Sequence, residues 1–532
     1  MSWQNYPVVR FAIPLIVGMA MGYISIDYGI VNLLWLAIPF FLCSCAALYV
    51  NTLCPKFRYI HLFGVLSNVS IALFGALLML QRCLSITESV PDKGAWICGV
   101  VESEPKKKAR TYAVEVRTND SRVLAYIALD ESHSPETLHS GDSISLQAYK
   151  VNPTFIRNDA YSTDNHIFDD YRNYLFCEGF CATCYVLPGS WDSRGENHGK
   201  SDWTKQFADI RSQIHLKYAD AGITDDVGSV VEAITTGQRA NLNQKLRQAY
   251  AHAGVAHVLA LSGMHLAMLF VMFNYLVNNF MTRRWRRVVA FTLIPVAWLF
   301  CMIAGMPPSL LRATIMLSLV QLALVIDAEQ SLLNSCAIAA VLMLFFNPLL
   351  LMNIGFQLSF ASIVAIALTH VDTLHIDSTG RRRNILTRII QEYLWPPLRM
   401  SLVCTLATFP LVAYYFGYIP LLGLLSSVVI STLVSILLIM LLLWWMFTLC
   451  GLTTTLLTSA IIAIVSWNNT IVDAVASIKI ATVDYRPSTV AVVLLYVFII
   501  SVWNFFVHRT SRSLRLSMLS LTALLLEQII VS

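Results

Sequence analysis

The stretch His257-Val-Leu-Ala-Leu-Ser-Gly-Met-His265 runs directly into Leu266-Ala-Met-Leu-Phe-Val-Met-Phe-Asn-Tyr-Leu-Val277, and its reading decides the fold. Two histidines, a serine and a glycine stand at the mouth of an apolar run of membrane-spanning length. A charged residue at mid-bilayer costs roughly 2.5–3.5 kcal/mol on insertion scales, so titratable groups placed there ask for a functional reason. The run is not isolated. Of 532 residues, 56% are hydrophobic and only 13% charged, with a mean hydropathy of +0.62. Apolar stretches of about 18 residues or more recur along the chain; one alone would fit a buried core helix, but many together require a membrane.

The net charge of +5 hides an asymmetry. Residues 85–254 contain 18 Lys+Arg and 23 Asp+Glu, leaving 19 basic and 9 acidic residues elsewhere. That basic excess sits in short loops: Lys56 and Arg58; Arg283, Arg284, Arg286 and Arg287; Arg381, Arg382, Arg383 and Arg388; Arg509, Arg512 and Arg515. Basic short loops mark the cytoplasmic face. Met1–Pro7 lacks a charged n-region, so the first apolar run reads as a retained helix and not as a signal peptide.

The expected architecture is a polytopic α-helical membrane protein of about 10–13 spans carrying an extracytoplasmic small β-barrel, OB-like domain. Residues 1–84 hold about three N-terminal spans, 85–200 the β domain, 201–254 extracytoplasmic amphipathic helices, and 255–532 the main bundle. The helix from 255 runs from the outer face to the Arg283–Arg287 cluster. Further spans are expected near 288–304, 309–326, 331–346, 351–369, 398–416, 421–449, 452–466, 488–507 and 514–531. The more polar segment 467–487 is expected to lie along the outer surface. Five short strand-like runs between Val100 and Val186 underlie the barrel expectation, which a sandwich would share.

Read as one helix at about 100° per residue, 257–265 places His257, Ser262 and His265 on one broad polar face, with Gly263 turned towards a neighbouring helix. A second polar cluster begins at Gly305-Met-Pro-Pro-Ser309-Leu-Leu-Arg312. Arg312 lies one turn into an apolar run with Ser309 on its face, so it either snorkels or meets an anionic ligand or partner. Gln357 and Ser359, in Gly355-Phe-Gln-Leu-Ser-Phe360, form a third cluster. Each is also explained by helix-to-helix hydrogen bonding; together they outline a lined path. Gly263, Gly305 and Gly355 are the expected helix-packing glycines.

At this point a family resemblance becomes specific. Gly237-Gln-Arg239, then Leu246-Arg-Gln-Ala-Tyr-Ala-His-Ala-Gly254 through His265, resembles the signature of the ComEC competence family. So does the later order Pro308-Ser309-Leu-Leu-Arg312-Ala, Asn347-Pro348, Gly355-Phe-Gln-Leu-Ser359, Leu406-Ala-Thr-Phe-Pro410 and Tyr415-Phe-Gly417. The outer domain, with Phe168-Asp-Asp-Tyr-Arg-Asn-Tyr-Leu175, is similar to the family's N-terminal OB-like domain. The resemblance implies a channel or translocase subunit passing single-stranded DNA across the inner membrane during natural transformation. The path would be lined by His257, Ser262, His265, Ser309, Arg312, Gln357 and Ser359. Implied partners are single-stranded DNA, membrane lipid, a periplasmic DNA receptor, and a cytoplasmic motor or DNA-binding protein. Many family members carry a C-terminal metallo-β-lactamase-like domain. No His-x-His-x-Asp-His is present, and His370-Val-Asp-Thr-Leu-His-Ile-Asp377 has the wrong spacing. The expectation is a form without that domain, with no metal, no cofactor and no enzymatic step, strand degradation falling to another protein. Without a Gly-x4-Gly-Lys-[Ser/Thr], no P-loop supplies driving force.

In the outer domain Lys106, Lys107, Lys108, Arg110 and Tyr112 are the candidate DNA contacts, although a negative domain charge and a solvated lysine turn argue the other way. A disulfide between Cys98 and one of Cys177, Cys181 or Cys184 suits an oxidising location. Zinc on the last three is disfavoured because residues 181 and 184 of a strand face opposite ways. Two rival functions use the same residues. A transporter of a small anionic or lipid solute needs the same path. An intramembrane hydrolase would use Ser262 as nucleophile, but no Gly-x-Ser-x-Gly elbow is present.

Overall fold

The structure, a computed structural model, describes residues 6–27, 33–53, 60–102, 105–108, 110–118, 121–129, 135, 138–139, 141–155, 166–196, 203–239, 241–261, 263–280, 282–327, 331–370, 395–478 and 481–531. These divide into two compact units: 1–210 with 333–353, and 211–332 with 354–532. Among the described residues eight helices are long and apolar enough to cross a membrane, and four shorter apolar helices accompany them. The chain is therefore a mostly helical, multi-pass membrane protein with an eight-stranded sheet and a separate two-stranded one.

The first unit opens with α1 (Pro7–Asp27), α2 (Leu33–Leu53) and α3 (Ile60–Glu88). Between apolar helices in lipid, small residues let backbones approach closely. Gly18 and Gly22 serve this purpose on α1. A Cβ built on Gly18 would stand only 1.8 Å from the Ala72 carbonyl oxygen of α3, and one on Gly22 only 2.7 Å from that of Ala76. From the other side, a Cβ on Gly75 would meet the Leu15 carbonyl at 2.4 Å.

The sheet follows: β1 (Trp96–Val101), β2 (Lys106–Lys107), β3 (Thr111–Arg117), β4 (Arg122–Ala128), β5 (Asp142–Gln147), β6 (Lys150–Pro153), β7 (Phe180–Val186) and β8 (Trp191–Glu196), with α4 (His166–Cys177) inserted before β7. The strand order is β6-β7-β4-β3-β1-β5-β8, with β2 on β3, and β4 pairs β7 in parallel. Among the described residues β6 and β8 do not pair with each other, so the expected barrel is an open mixed sheet. Strands β2, β6 and β8, the first two very short, and the inserted helix α4 lie outside the five expected strand runs. Val114, Val116, Ile127, Ile144 and Leu146 are buried in its core. On the other face Ala113, Leu124, Phe180 and Leu175 of α4 form a second small cluster.

This strand order also removes the expected disulfide. Cys98 lies on β1, whereas Cys181 and Cys184 lie on β7, with β3 and β4 between. Three inter-strand spacings make about 14 Å, well beyond the Cα separation of about 4.4–6.8 Å that a disulfide spans. Cys177 ends α4, and all four thiols are free. Burial pushes the thiols of Cys177 and Cys184 up to about 12, which leaves them as inert small apolar groups.

The second unit begins within α5 (Trp203–Asp220), then α6 (Asp225–Thr235), α7 (Gln244–His252), α8 (Ala256–Leu259), α9 (Gly263–Phe280), α10 (Arg283–Ile303) and α11 (Pro308–Ile326). Helix α12 (Leu332–Phe346) and a 3-10 turn, Pro348–Met352, belong almost wholly to the first unit. The second unit resumes with α13 (Ile354–His370), α14 (Trp395–Phe416), α15 (Gly423–Leu449), α16 (Thr455–Ala476), α17 (Thr489–His508) and α18 (Ser511–Val531). Its main core joins α6 and α7 to α15 and α16 through residues such as Val230, Ile234, Tyr250, Val434, Leu437, Trp444, Ile461 and Val465. Tyr250 donates to Asn469 at 2.8 Å, and Trp445 to Tyr218 at 2.8 Å.

Segment 467–487 is not a single surface stretch. Trp467-Asn468-Asn469 continues α16, where Asn468 is fully buried on the stripe of Ile461, Val465 and Val472. The polar letters that suggested a surface segment belong to a helix: Trp467 is exposed, Asn468 is buried, and Asn469 accepts from Tyr250 of α7. Beyond it, β10 (Thr482–Asp484) pairs antiparallel with β9 (Tyr418–Pro420).

Candidate polar path in the helical unit

The stretch 257–265 is not one helix. Helix α8 stops at Leu259, Ala260 takes an extended conformation, and α9 starts afresh at Gly263. The single polar face expected from a continuous helix is therefore replaced by a break. His257 is exposed on α8, His265 is buried (1% exposed) on the first turn of α9, and the two imidazoles lie within electrostatic range. Ser262 falls outside the described residues.

What holds the break in place is contact with α11. A Cβ on Gly263 would meet the Ala313 methyl at 2.6 Å, the Arg312 guanidinium at 3.5 Å and the Ser309 carbonyl at 3.6 Å. The Ser309 hydroxyl donates to the Leu261 carbonyl at 3.2 Å, so one side chain of α11 satisfies the carbonyl left by the interrupted helix. Two apolar helices thus begin side by side. Pro307 caps α11, and Pro308 occupies its first position, where a missing N–H costs nothing.

Arg312 is buried (7% exposed) in the second turn of α11 and does not snorkel. Its guanidinium lies 5.4 Å from the ring centre of Phe360 on α13, a favourable cation–π placement. One turn earlier on α13, Gln357 accepts from the Tyr415 hydroxyl of α14 at 2.9 Å. The chain of contacts Gly263–Arg312–Phe360 and Gln357–Tyr415 therefore links four helices, α9, α11, α13 and α14. Ser359 stands about 200° round α13 from Gln357 and does not share that face. Of the expected packing glycines, Gly263 makes a close approach and Gly305 does not. Gly305 has φ +79° with no atom within 4 Å of an added Cβ, so it serves the α10–α11 turn, and Gly355 is exposed.

The layer before the break braces it. Gly237, at φ +74°, lies where a Cβ would stand 3.2 Å from the Ala304 carbonyl and 4.0 Å from Leu261. Arg211 donates to the Ile303 carbonyl at 2.8 Å. Buried Glu232 binds His215, accepts from Asn241 at 3.1 Å, and through its carbonyl accepts from the Thr236 hydroxyl at 2.9 Å. Gly254 and Gly423 meet backbone to backbone, an added Cβ on Gly254 falling 2.5 Å from Gly423 Cα. Phe360, Tyr415 and Glu232 were not singled out from sequence. Phe360 and Tyr415 belong to the Gly355–Phe360 and Tyr415–Gly417 motifs; nothing in the sequence marks Glu232.

The outer sheet treats its candidates differently. Lys106 pairs with Glu115 at 3.2 Å, Lys107 lies over the Tyr112 ring at 5.8 Å, and Arg110 is exposed. Tyr112 itself is buried (3% exposed), so its ring cannot stack on an incoming base. Lys108 sits 4.7 Å from the centre of the Tyr126 ring. The residues 371–377, which carry most of the His370–Asp377 pattern, lie outside the described residues.

Comparison with known proteins gives a consistent answer. A family model described as "Competence protein" matches residues 234–509. The chain is 25% identical over 248 residues to "ComE operon protein 3" of Bacillus subtilis (strain 168), covering 46% of this chain and 29% of that protein. It is 26% identical over 260 residues to "Competence protein ComA" of Neisseria gonorrhoeae, covering 44% of this chain and 35% of that one. The matches thus span about a third of these curated relatives. No solved structure matches the chain.

Proposed function

Because the chain belongs to the Competence protein family, we propose that it acts in DNA uptake as the membrane passage for a single strand. In this reading the β sheet and α5–α7 lie outside the cytoplasmic membrane and the basic short loops inside. The strand enters beside the α8–α9 break. A receptor outside and a motor or DNA-binding protein inside act with it, and no covalent step is assigned to this chain.

The observation that carries the reading is the buried Arg312 guanidinium beside the starts of α9 and α11. The first turn of a helix presents unsatisfied N–H groups and a partial positive charge, which favours anions. Broken helices near mid-membrane use such ends to hold anionic substrate groups. A phosphodiester meeting the start of α9 and the Arg312 guanidinium keeps its charge compensated while it leaves water; α11 opens on Pro307-Pro308 and contributes the guanidinium instead of N–H groups. The Phe360 ring lies beside the guanidinium, and the Tyr415–Gln357 hydrogen bond joins α13 to α14.

The test is the frequency of transformation by marked DNA in cells carrying Arg312→Leu, with membrane abundance checked by blot. Hydrogen bonds to a charged group contribute about 1.5–3 kcal/mol, so uptake is expected to fall about 10- to 100-fold. Arg312→Lys retains part of it. Normal uptake by Arg312→Leu at normal abundance removes Arg312 from the path. The same constellation suits a small anionic solute. Competition between a labelled oligonucleotide and candidate anions for the purified protein separates the two readings.

A further inference from the structure

The outer sheet carries a cleft that the proposed passage does not use. It has a volume of about 230 Å³ and lies between α4 and the β2–β3–β4 part of the sheet, with Ala113, Leu124, Leu175 and Phe180 as its apolar lining. Tyr171 and Tyr174 of α4 line it with ring centres 6.4 Å apart and planes inclined by 25°, and they are 41% and 50% exposed. The Tyr171 hydroxyl meets that of Tyr126 at 3.2 Å, and Tyr126 packs against Tyr185 of β7 at 5.4 Å. Four tyrosines therefore make a continuous arc along one side of the domain. Exposed aromatic rings are costly to leave in water and invite a ligand with an apolar face.

Charge decides which ligand. Residues 85–200 hold 12 Lys+Arg against 17 Asp+Glu, a net of −5. The cations at the cleft are already engaged: Lys106 with Glu115, Arg122 with Glu102 and Glu115, and Lys108 over the Tyr126 ring. A polyanion draws affinity from cations free to displace its counter-ions, and of the three in the lining Lys106 and Arg122 are paired with carboxylates, which leaves Lys108. The lining is close to neutral, with two carboxylates beside those cations. Glu115 and Glu178 line the cleft, and Glu178 is held at 2.9 Å by Asn353. Tyrosine faces, tyrosine hydroxyls and fixed carboxyl groups are what a sugar ring needs. Its C–H face packs on an aromatic ring, and its hydroxyls donate to carboxylates and accept from phenols.

We propose that this cleft binds an uncharged oligosaccharide chain, with Tyr171 and Tyr174 as the stacking platforms and Glu115 and Glu178 as hydroxyl acceptors. The arc of rings accommodates consecutive sugars, so a chain binds better than a single ring. The inference stands apart from the DNA passage, which is tested by Arg312 and by uptake.

The experiment uses the full chain in lipid nanodiscs free of sugar detergents, with the β-1,4-linked N-acetylglucosamine tetramer as probe and saturation-transfer NMR as readout. Tetramer binding is expected at millimolar concentration or better, unchanged when salt is raised, and weakened about tenfold in Tyr171→Ala and in Tyr174→Ala. Both rings are exposed, so folding is preserved; Tyr275→Ala, on an exposed ring of α9 that does not line the cleft, controls for loss of a tyrosine. Absence of tetramer binding by the unaltered protein overturns the proposal, as does binding that both variants retain in full. A single-stranded oligonucleotide that displaces the tetramer with salt-sensitive affinity also overturns it and makes the cleft a nucleic-acid site.

Discussion

Exchanging one methyl group between α9 and α11 tests the geometry on which the path rests. An alanine at position 263 places its Cβ 2.6 Å from that of Ala313, whereas carbon pairs settle at about 3.5–4.0 Å. The helices must part by about 1 Å, or Ala313 and Arg312 must shift. Overpacking of this kind costs about 1–3 kcal/mol. Removing the obstruction with Ala313→Gly leaves the new methyl 3.5 Å from the guanidinium and 3.6 Å from the Ser309 carbonyl, which are ordinary contacts. The double variant Gly263→Ala/Ala313→Gly therefore recovers most of what Gly263→Ala loses. Intrinsic helix preferences for alanine over glycine cancel in the cycle, so the coupling reports the contact itself, at about 1–3 kcal/mol. The assay is thermal stability of the purified full chain by size-exclusion chromatography after heating, for the four proteins side by side. Transformation frequency should follow the same order. Shifts in melting temperature that simply add would show that α9 and α11 do not meet at Gly263, and the Arg312 argument would fall with it.

Three further expectations follow from other parts of the molecule. Gly18→Leu forces α1 off the Ala72 carbonyl and should cut the yield of folded protein severalfold, whereas Gly64→Leu, with open space around it, should express normally. Tyr415→Phe and Gln357→Leu should each lower the melting temperature by the loss of one interhelical hydrogen bond, about 0.6 kcal/mol in membrane proteins; the double variant should lose less than their sum, and full additivity would deny the bond. Burial holds the Glu178 carboxyl above its ordinary value, with Arg122 opposing. The folded state then binds the proton more tightly than the unfolded chain. The neutral form therefore stabilises at low pH, and stability falls as pH rises from about the ordinary carboxyl value of 4.5 through the raised one. Glu178→Gln, whose amide oxygen still accepts from Asn353, should melt higher at neutral pH and lose that pH slope. An unchanged slope would refute the assignment.

Much of the fold lay open to reading because bilayer physics acts on segments. Apolar length, basic loops and the polar stretch 203–252 each reveal themselves without neighbours, and most of the helices fall where apolar runs predicted them. The sheet was half legible. Alternating strands such as β3 and β4 showed themselves, but their order and the α4 insertion did not, and the supposed Cys98 bridge failed on that order. In the path, Arg312 and Gln357 were visible because charge and amide are conspicuous in apolar runs. Ser359, Gly305 and Gly355 were equally conspicuous and stand elsewhere.

By itself, then, the amino-acid sequence determined that this chain is a multi-pass membrane protein of the competence type, with polar groups at the start of one helix and an arginine inside another. Those properties depend on local composition and on motif order, both written along the chain. Only the tertiary structure decided that His257 and His265 stand on separate helices, that Gly263 rests on Ala313 and Arg312, and that Phe360 receives the guanidinium. Such contacts join residues about 50 positions apart in sequence. They follow from how ridges and small residues of different helices fit together, which no local pattern encodes.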